Sequence, residues 1–200
     1  MNTKINRIKE YYFYYDKENW YLCLSCSKDV GTSINVKLVG ENELINKDFE
    51  LDNIYAKLPT VKLWSPSSPC LYNLDISLLN EDNEVEHITQ KVGFRYFENI
   101  DGQYYLNDKI VEEILFTSLE EIDDDYLNFC DEKGKVIIGN VISDQITDID
   151  LLIERVAKLI VAYRHHPSIC AWSIGNLDSK SERIIRILVN LIDPMRMIMK

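Results

Sequence analysis

The sequence lacks the features that mark several large classes of protein. It has 22 lysine and arginine residues against 33 acidic ones, a net charge of −11, and no basic cluster, so nucleic acid and anionic membranes are poor partners. No apolar run approaches the length of a membrane span. The first residues lack the apolar core of a signal peptide. What remains is the composition of an ordinary soluble globular protein, 46% hydrophobic and 28% charged.

Cysteines and histidines are also too few or too scattered to predict a metal centre. Five dispersed cysteines form no disulfide framework and suit a reducing cytoplasm, where we expect the protein to be located. Cys23 and Cys26 form one C-x-x-C pair without a second pair. His165 and His166 are expected to cap the end of a helix as cations, and residues 123–125 to form a solvated acidic face. The sequence therefore predicts no metal and no cofactor.

The first half of the chain predicts a β domain. Apolar residues mostly alternate there, in segments rich in aromatic and β-branched residues that are separated by polar turns. The predicted strands cover residues 11–15, 20–27, 33–39, 44–51, 54–58, 71–79 and 85–97. Seven short strands within about a hundred residues are typical of an immunoglobulin-like β-sandwich. We assign residues 1–99 to this domain.

The second half predicts alternating helices and strands. Residues 118–121 match a helix capping box, and Gly134 fits the left-handed position that ends the same helix. A strand is then predicted at residues 135–142, and a helix from Thr147. A second strand is predicted at residues 169–174, and a last helix at residues 181–192. This order implies a parallel sheet with right-handed crossovers. Residues 100–200 have room for about half of a (β/α)8 barrel, so the predicted fold is a β-sandwich followed by a partial, shortened TIM-barrel domain.

The strand over residues 169–174 ends where a barrel would form its active site. Gly175 and Asn176 follow it, and the carboxyl ends of barrel strands carry the catalytic groups. Leu177 comes next, so an apolar side chain stands where an acid is expected.

Several motifs resemble those of glycoside hydrolase family 2, the β-galactosidases and β-glucuronidases. HHPSICAWSIGN, residues 165–176, is similar to the family pattern NHPS-x-x-x-WS-x-GNE. The other similar segments, in chain order, are VKLWSPSSPCLY at 61–72, VGFR at 92–95, YLNDK at 105–109, FCDEKG at 129–134 and DPMR at 193–196. The resemblance covers most of the chain and keeps the family's order of motifs.

The resemblance implies a retaining glycosidase, but it also implies a missing acid. Enzymes of this kind use two glutamates about 5–5.5 Å apart, one as acid/base and one as nucleophile. The acid/base position corresponds to Leu177, and the nucleophile is expected on a later barrel strand, beyond Lys200. Asp178 is a weak substitute, because one step along a strand reverses the direction of the side chain. We therefore expect no catalytic residue here and impaired or absent activity for this chain alone.

The resemblance leaves two candidate substrate-binding residues. Asn176 is similar to the family asparagine that hydrogen-bonds the sugar 2-hydroxyl. Trp172 is either a sugar contact or, as we favour, a core aromatic that needs a partner for its N–H. Between Lys109 and Ser118 the chain is expected to be too short for the first barrel strands, whose ends bring histidines to the sugar pocket.

Three functional hypotheses follow from these observations. In the first, the chain is a degenerate or truncated β-galactosidase-like protein without independent hydrolase activity, for which carbohydrate is a possible partner. Alternatively, it is a fragment that is complemented by another chain, or that self-associates, through the open edge of the barrel. In the third hypothesis, the β-sandwich is a non-catalytic carbohydrate- or protein-binding module.

Overall fold

Antiparallel β-sheets followed by a parallel β/α segment make up this chain. The computed structural model describes residues 7–27, 32–41, 43–49, 53–80, 83–142 and 148–200. The chain divides into two compact units, the first comprising Met1–Lys62 and Leu71–Val92, the second Leu63–Cys70 and Gly93–Lys200. No helix among the described residues is long and apolar enough to cross a membrane.

The division differs from the predicted boundary at residues 99 and 100, because two short segments belong to the second unit. The backbone N–H of Trp64 donates to the Phe94 carbonyl at 2.7 Å. The Trp64 indole N–H donates to the Asp131 carbonyl at 2.8 Å. These bonds, and those of Arg95 described below, tie both segments to the helices and strands that follow them.

The first unit contains two antiparallel sheets. Its strands are β1 (Arg7–Tyr15), β2 (Trp20–Ser27), β3 (Thr32–Val39), β4 (Glu43–Phe49), β5 (Asn53–Lys57), β6 (Tyr72–Asn80) and β7 (Asn83–Val92). One sheet has the order β1-β2-β5 and the other β4-β3-β6-β7. A strand is found at each of the seven predicted places, although β7 ends at Val92 and does not run on to Phe97, and residues 50 and 51 of the fourth predicted strand lie outside the described residues.

Alternation of burial explains why these segments form strands. In β6, Leu74, Ile76 and Leu78 are fully buried, whereas the residues between them are partly exposed. Successive side chains of a strand point to opposite faces, so one face of the strand lies in the core of the unit. A polar contact also joins the two sheets, because the Tyr11 hydroxyl on β1 donates to Gln90 Oε1 on β7 at 2.6 Å.

The second unit begins with a small antiparallel sheet and continues with a parallel one. Its elements are β8 (Phe97–Ile100), β9 (Gln103–Leu106), β10 (Lys109–Ile110), β11 (Leu115–Ser118), α1 (Asp124–Lys133), β12 (Ile137–Asn140), α2 (Ile149–Tyr163), β13 (Ile169–Ser173), α3 (Ser179–Ile192) and β14 (Met197–Met199). Strands β8 to β10 form the first sheet, and β11-β12-β13-β14 pair in that order, all parallel. The helices bury one stripe each against the parallel sheet.

One prediction for this unit is wrong, and another is met only in part. Ser118 does not cap a helix: it is the last residue of β11, paired with Asn140, and α1 starts six residues later with Asp123 as its N-cap. The segment between Lys109 and Ser118, predicted to be too short for the first barrel strands, contains one strand of the parallel sheet, β11. Gly134 ends α1 at φ +67°, as predicted. The predicted start of the next helix, Thr147, lies outside the described residues, and Asp148 caps α2.

Candidate functional site

The carboxyl ends of the four parallel strands meet in one row. Ser118, Asn140, Ser173 and Met199 are successive partners across β11, β12, β13 and β14. All four side chains are half-buried. We call this row, together with residues 174–177, the carboxyl edge. It offers hydroxyl, amide and thioether groups, none of which is a proton donor of the strength that glycoside cleavage requires.

The segment after β13 sets the geometry of this edge. The Ile174 backbone N–H donates to the Met199 carbonyl at 3.0 Å, which holds the segment beside β14. Gly175 has φ +60°, a left-handed conformation that favours glycine and turns the chain. Asn176 is exposed, and Leu177 is half-buried against the apolar core formed by the helices and the sheet. Leu177 therefore acts as a packing residue, and its side chain contributes no polar group to the edge.

Asp178, the weak substitute acid, has a different role. It is the N-cap of α3 and accepts hydrogen bonds from the backbone N–H of Lys180 at 3.0 Å and of Ser181 at 3.2 Å. The Ser181 hydroxyl donates to its second oxygen at 2.5 Å. The hydrogen bonds from the hydroxyl and N–H of Ser181 lower the pKa of Asp178. An ionised carboxylate committed to a helix end is a poor proton donor, so this geometry argues against Asp178 as the acid.

Trp172 lies within the core of the second unit. Its side chain has no exposed surface. The indole N–H donates to Asp193 Oδ2 at 2.9 Å, and the Arg196 guanidinium lies 5.1 Å from the ring centroid. A fully buried ring has no surface to offer a sugar, so this geometry favours the core interpretation over substrate binding.

The opposite end of the sheet, where the parallel strands begin, contains two buried arginines. Arg95 donates from Nε to the Pro167 carbonyl at 3.1 Å and from Nη2 to the Ile169 carbonyl at 2.5 Å. Arg196 donates to the Ile169 carbonyl, to the His166 carbonyl and to Asp193 Oδ2. Burial and the neighbouring charge of Arg196 lower the pKa of Arg95 to about 10. Both guanidinium groups thus fix the backbone that leads into β13.

A histidine held between two carboxylates completes this amino end. His166 is fully buried, with Nδ1 2.6 Å from Asp131 Oδ2 and Nε2 3.0 Å from Asp124 Oδ1. Asp131 Oδ1 accepts the backbone N–H of Ser168 at 2.9 Å. We call the five buried charged or titratable residues of this end the buried ion network: Arg95, Asp131, His166, Asp193 and Arg196.

His165 and His166 do not act as cationic helix caps, contrary to the prediction. Helix α2 ends at Tyr163, and the side chains of both histidines face Asp124 on α1. Burial and the adjacent His166 lower the pKa of His165 to about 4, so this ring is neutral. Residues 123–125 are exposed, as predicted, but two of them have further contacts: Asp123 caps α1, and Asp124 faces the histidines. No local pattern indicates this cluster, since about forty residues separate its parts.

Comparison with known proteins gives a family model and several similar enzymes. Residues 13–95 match the model "Glycosyl hydrolases family 2". The β-galactosidase of Lactococcus lactis is 25% identical over 192 residues, which cover 72% of this chain and 19% of that protein. A putative β-glucuronidase of Formosa agariphila is 35% identical over 74 residues, 34% of this chain and 9% of that protein. The chain therefore spans about a fifth of these relatives or less.

Solved structures show the same fold. The β-D-mannosidase of Dictyoglomus thermophilum superimposes with a TM-score of 0.77 at 15% identity, over 97% of this chain and 34% of that chain. An FMN-binding β-glucuronidase from Facaelibacterium prausnitzii gives 0.75 at 16% identity, over 94% and 38%. Both units of this chain thus have counterparts in each of these much longer proteins.

Proposed function

Because this chain carries a glycoside hydrolase family 2 domain and is a distant homologue of β-galactosidases and β-glucuronidases, we propose that it is a carbohydrate-binding member of that family without a catalytic acid. The reaction of the family is hydrolysis of O-glycosidic bonds, and its place is in carbohydrate metabolism. In our proposal this chain acts in the cytoplasm, keeps the fold of the family and binds a glycoside at the carboxyl edge. It does not cleave that glycoside by itself.

Two finer assignments of the fold belong to this proposal. The seven strands of the first unit, divided three and four between two antiparallel sheets, support an immunoglobulin-like sandwich. The four parallel strands of the second unit alternate with helices from β11 onward, which supports a segment of a (β/α)8 barrel. In such a barrel the carboxyl edge is the active-site face.

Leu177 is the observation that carries the proposal. It follows Gly175 and Asn176 at the place where the family motif has its acid/base glutamate. Leucine cannot donate a proton to a leaving oxygen, and general acid catalysis supplies about 10²–10⁴-fold in rate. The neighbouring carboxylate, Asp178, is engaged as the N-cap of α3. Asn176 is exposed and free to contact a sugar hydroxyl, as the family asparagine does.

Hydrolysis of aryl β-galactosides and β-glucuronides tests this proposal. The unmodified chain, Leu177→Glu and Leu177→Gln are assayed side by side. Glutamine matches glutamate in size but has no acidic proton, so the comparison separates proton donation from a change in packing. We expect no turnover by the unmodified chain or by Leu177→Gln. If the remaining machinery is in place, glutamate at 177 raises the rate by about 10²–10⁴-fold over glutamine.

Turnover by the unmodified chain at the rate of Leu177→Glu would contradict the proposal, because an acid other than residue 177 would then exist. Turnover by Leu177→Glu alone would identify position 177 as the place of the acid. Absence of turnover in all three agrees with the lack of cleavage that we propose, and glycoside binding is then tested by titration, of this chain alone and with a complementing chain.

A second candidate function is a carbohydrate-binding module on the first unit. The outer face of the sheet β1-β2-β5 has an open concavity of about 460 Å³ lined by tyrosines 12, 14 and 55. The ring of Tyr55 is 62% exposed and stacks on Tyr21 at 4.6 Å between centroids. Exposed aromatic rings present flat apolar surface with a polar tip, which suits contact with a sugar. Loss of sugar binding in Tyr55→Ala, with binding retained in Asn176→Ala, would favour this candidate.

A further inference from the structure

We propose that Asp124, His165 and His166 bind a divalent transition-metal ion, with zinc the best match. Each residue offers one ligand atom, and these three atoms all lie within 4.8 Å of one another. Asp124 is the first residue of α1, and the two histidines lie between α2 and β13. The site is thus assembled by the fold at the amino end of the parallel sheet, away from the carboxyl edge.

The distances are close to those that a metal needs. Asp124 Oδ1 is 3.0 Å from His166 Nε2 and 3.7 Å from His165 Nε2. Zinc bonds of about 2.0–2.2 Å in a tetrahedral arrangement place ligand atoms about 3.3 Å apart. In each of these two pairs, the atoms need to move by only a few tenths of an ångström to reach the separation that an ion between them requires.

A second layer of contacts orients the ligands. His166 Nδ1 lies 2.6 Å from Asp131 Oδ2, which leaves Nε2 directed at Asp124. Metal-binding histidines almost always donate their other ring nitrogen to a carboxylate or carbonyl in this way. Asn128 Nδ2 donates to Asp124 Oδ2 at 3.1 Å, so the other oxygen of Asp124 remains directed at the histidines.

His165 distinguishes a metal site from a purely structural cluster. A hydrogen-bonded triad of Asp124, His166 and Asp131 accounts for His166 without a metal. It leaves His165 unexplained, because its side chain is only 10% exposed and makes no hydrogen bond to the described residues. Its Nε2 faces the Asp124 carboxylate at 3.7 Å, too far for a hydrogen bond. A cation between the two atoms would satisfy both of them.

The donor set selects the class of metal. Two imidazoles and one carboxylate suit zinc and its transition-metal neighbours, whereas calcium and magnesium prefer oxygen ligands throughout. The Asp124 side chain is 59% exposed, so an ion can enter from solvent and a water molecule can take the fourth position.

Metal titration of the full chain tests the proposal. After treatment with a chelator and dialysis, Zn²⁺ binding is measured by calorimetry and Co²⁺ binding by visible absorption. We expect one equivalent of either ion and a cobalt spectrum of nitrogen and oxygen ligands without a thiolate charge-transfer band. The spectrum matters because all five cysteines are free thiols.

Matched variants locate the site. Asp131→Asn changes the residue that orients His166, and we expect it to weaken metal binding by about 10–100-fold. His165→Ala and Asp124→Asn remove or weaken ligands themselves, so they should weaken metal binding at least as much. His87→Ala is the control, since His87 lies 3.5 Å from Asp75 and 3.7 Å from Glu84 on the surface of the first unit, without a second histidine. His87→Ala should bind metal like the unmodified chain.

Equal affinities of His165→Ala, Asp124→Asn and the unmodified chain would overturn the proposal, as would a cobalt spectrum with thiolate bands or no binding at all. Circular dichroism of each metal-free variant confirms that it is folded. If His165→Ala does not fold, the comparison of Asp124→Asn with His87→Ala decides the outcome.

Discussion

The two ends of the parallel sheet differ in what they bury. At the amino end, every member of the buried ion network is at most 8% exposed, and each has charged or backbone partners at hydrogen-bond distance. At the carboxyl edge the side chains are polar but uncharged, or apolar, and most of them are half-buried, Leu177 included. Buried charges are costly unless they are paired, so their concentration at one end indicates where the fold has strong constraints.

This difference separates stability from catalysis. In (β/α)8 barrels the carboxyl ends of the strands carry the chemistry, and the amino ends contribute stability. In this chain the amino end contains a dense polar network, whereas the carboxyl edge includes Leu177, an apolar residue that packs into the core. Under the proposed function, the fold is kept without the reaction, because function depends on the site and not on the fold alone.

The largest effect is expected when the amino end loses a partner. Asp131→Ala leaves His166 Nδ1 and the Ser168 N–H without their acceptor, and a buried polar group left unsatisfied costs about 1–3 kcal/mol, so the loss of both exceeds the loss of one hydrogen bond. Urea unfolding followed by tryptophan fluorescence measures the loss. Asp125→Ala is the control, because Asp125 lies on the same helix and is exposed, and it should change little. Equal effects of both variants would show that the network is not what stabilises this end.

A smaller effect is expected for Trp172→Phe. The change keeps an aromatic ring but removes the N–H that donates to Asp193, a loss of about 1–3 kcal/mol for a buried hydrogen bond. Unfolding free energy should fall, and sugar affinity, measured by calorimetry, should remain unchanged. Weaker sugar binding at unchanged stability would instead place Trp172 in the substrate site. Trp172 would then be a sugar-binding residue, as we propose for Asn176.

The smallest effect is expected for Asp178→Asn. Asparagine is as good an N-cap as aspartate, so the thermal midpoint should hardly move, whereas Asp178→Ala should lower it by removing the cap. Where Leu177→Glu gives measurable glycoside hydrolysis, neither variant should alter its rate in that background. A loss of turnover in Asp178→Asn, which keeps the cap but removes the acid, would show that Asp178 donates the proton.

Local patterns predicted most of the elements. The strands of the first unit follow from alternation, because each has one face in the core: Leu22 and Leu24 on β2 and Val36 and Leu38 on β3 are all buried. The left-handed end of α1 at Gly134 also followed from sequence, since its φ of +67° favours glycine. In these cases the same residues that suit the local structure also suit the core.

Long-range pairing overrode the local pattern at Ser118. A serine followed three residues later by glutamate is a good helix start in isolation. Ser118 instead pairs with Asn140, and the Leu119 N–H donates to the Asn140 carbonyl at 3.0 Å, which extends the parallel sheet. The sheet gains a backbone ladder and a buried leucine from this arrangement, and Asp123 caps the helix in its place.

The cluster of Asp124, His165 and His166 could not be predicted from sequence for another reason. Its ligands lie on separate elements, and only the packing of α1 against the start of β13 brings them together. The proposal that Leu177 stands at the acid position, in contrast, rests on sequence, because the residues around it form one continuous motif.

One measurement tests most directly the claim that the carboxyl edge binds a glycoside without cleaving it. The full chain is titrated with methyl β-galactoside and methyl β-glucuronide, and nuclear magnetic resonance records the backbone amides and the sugar in the same samples. We predict intact sugar and chemical-shift changes that centre on Ser173, Gly175 and Asn176, with none at His166 or Arg196. Release of free sugar by the unmodified chain, or shift changes confined to the amino end or to the first unit, would contradict the account.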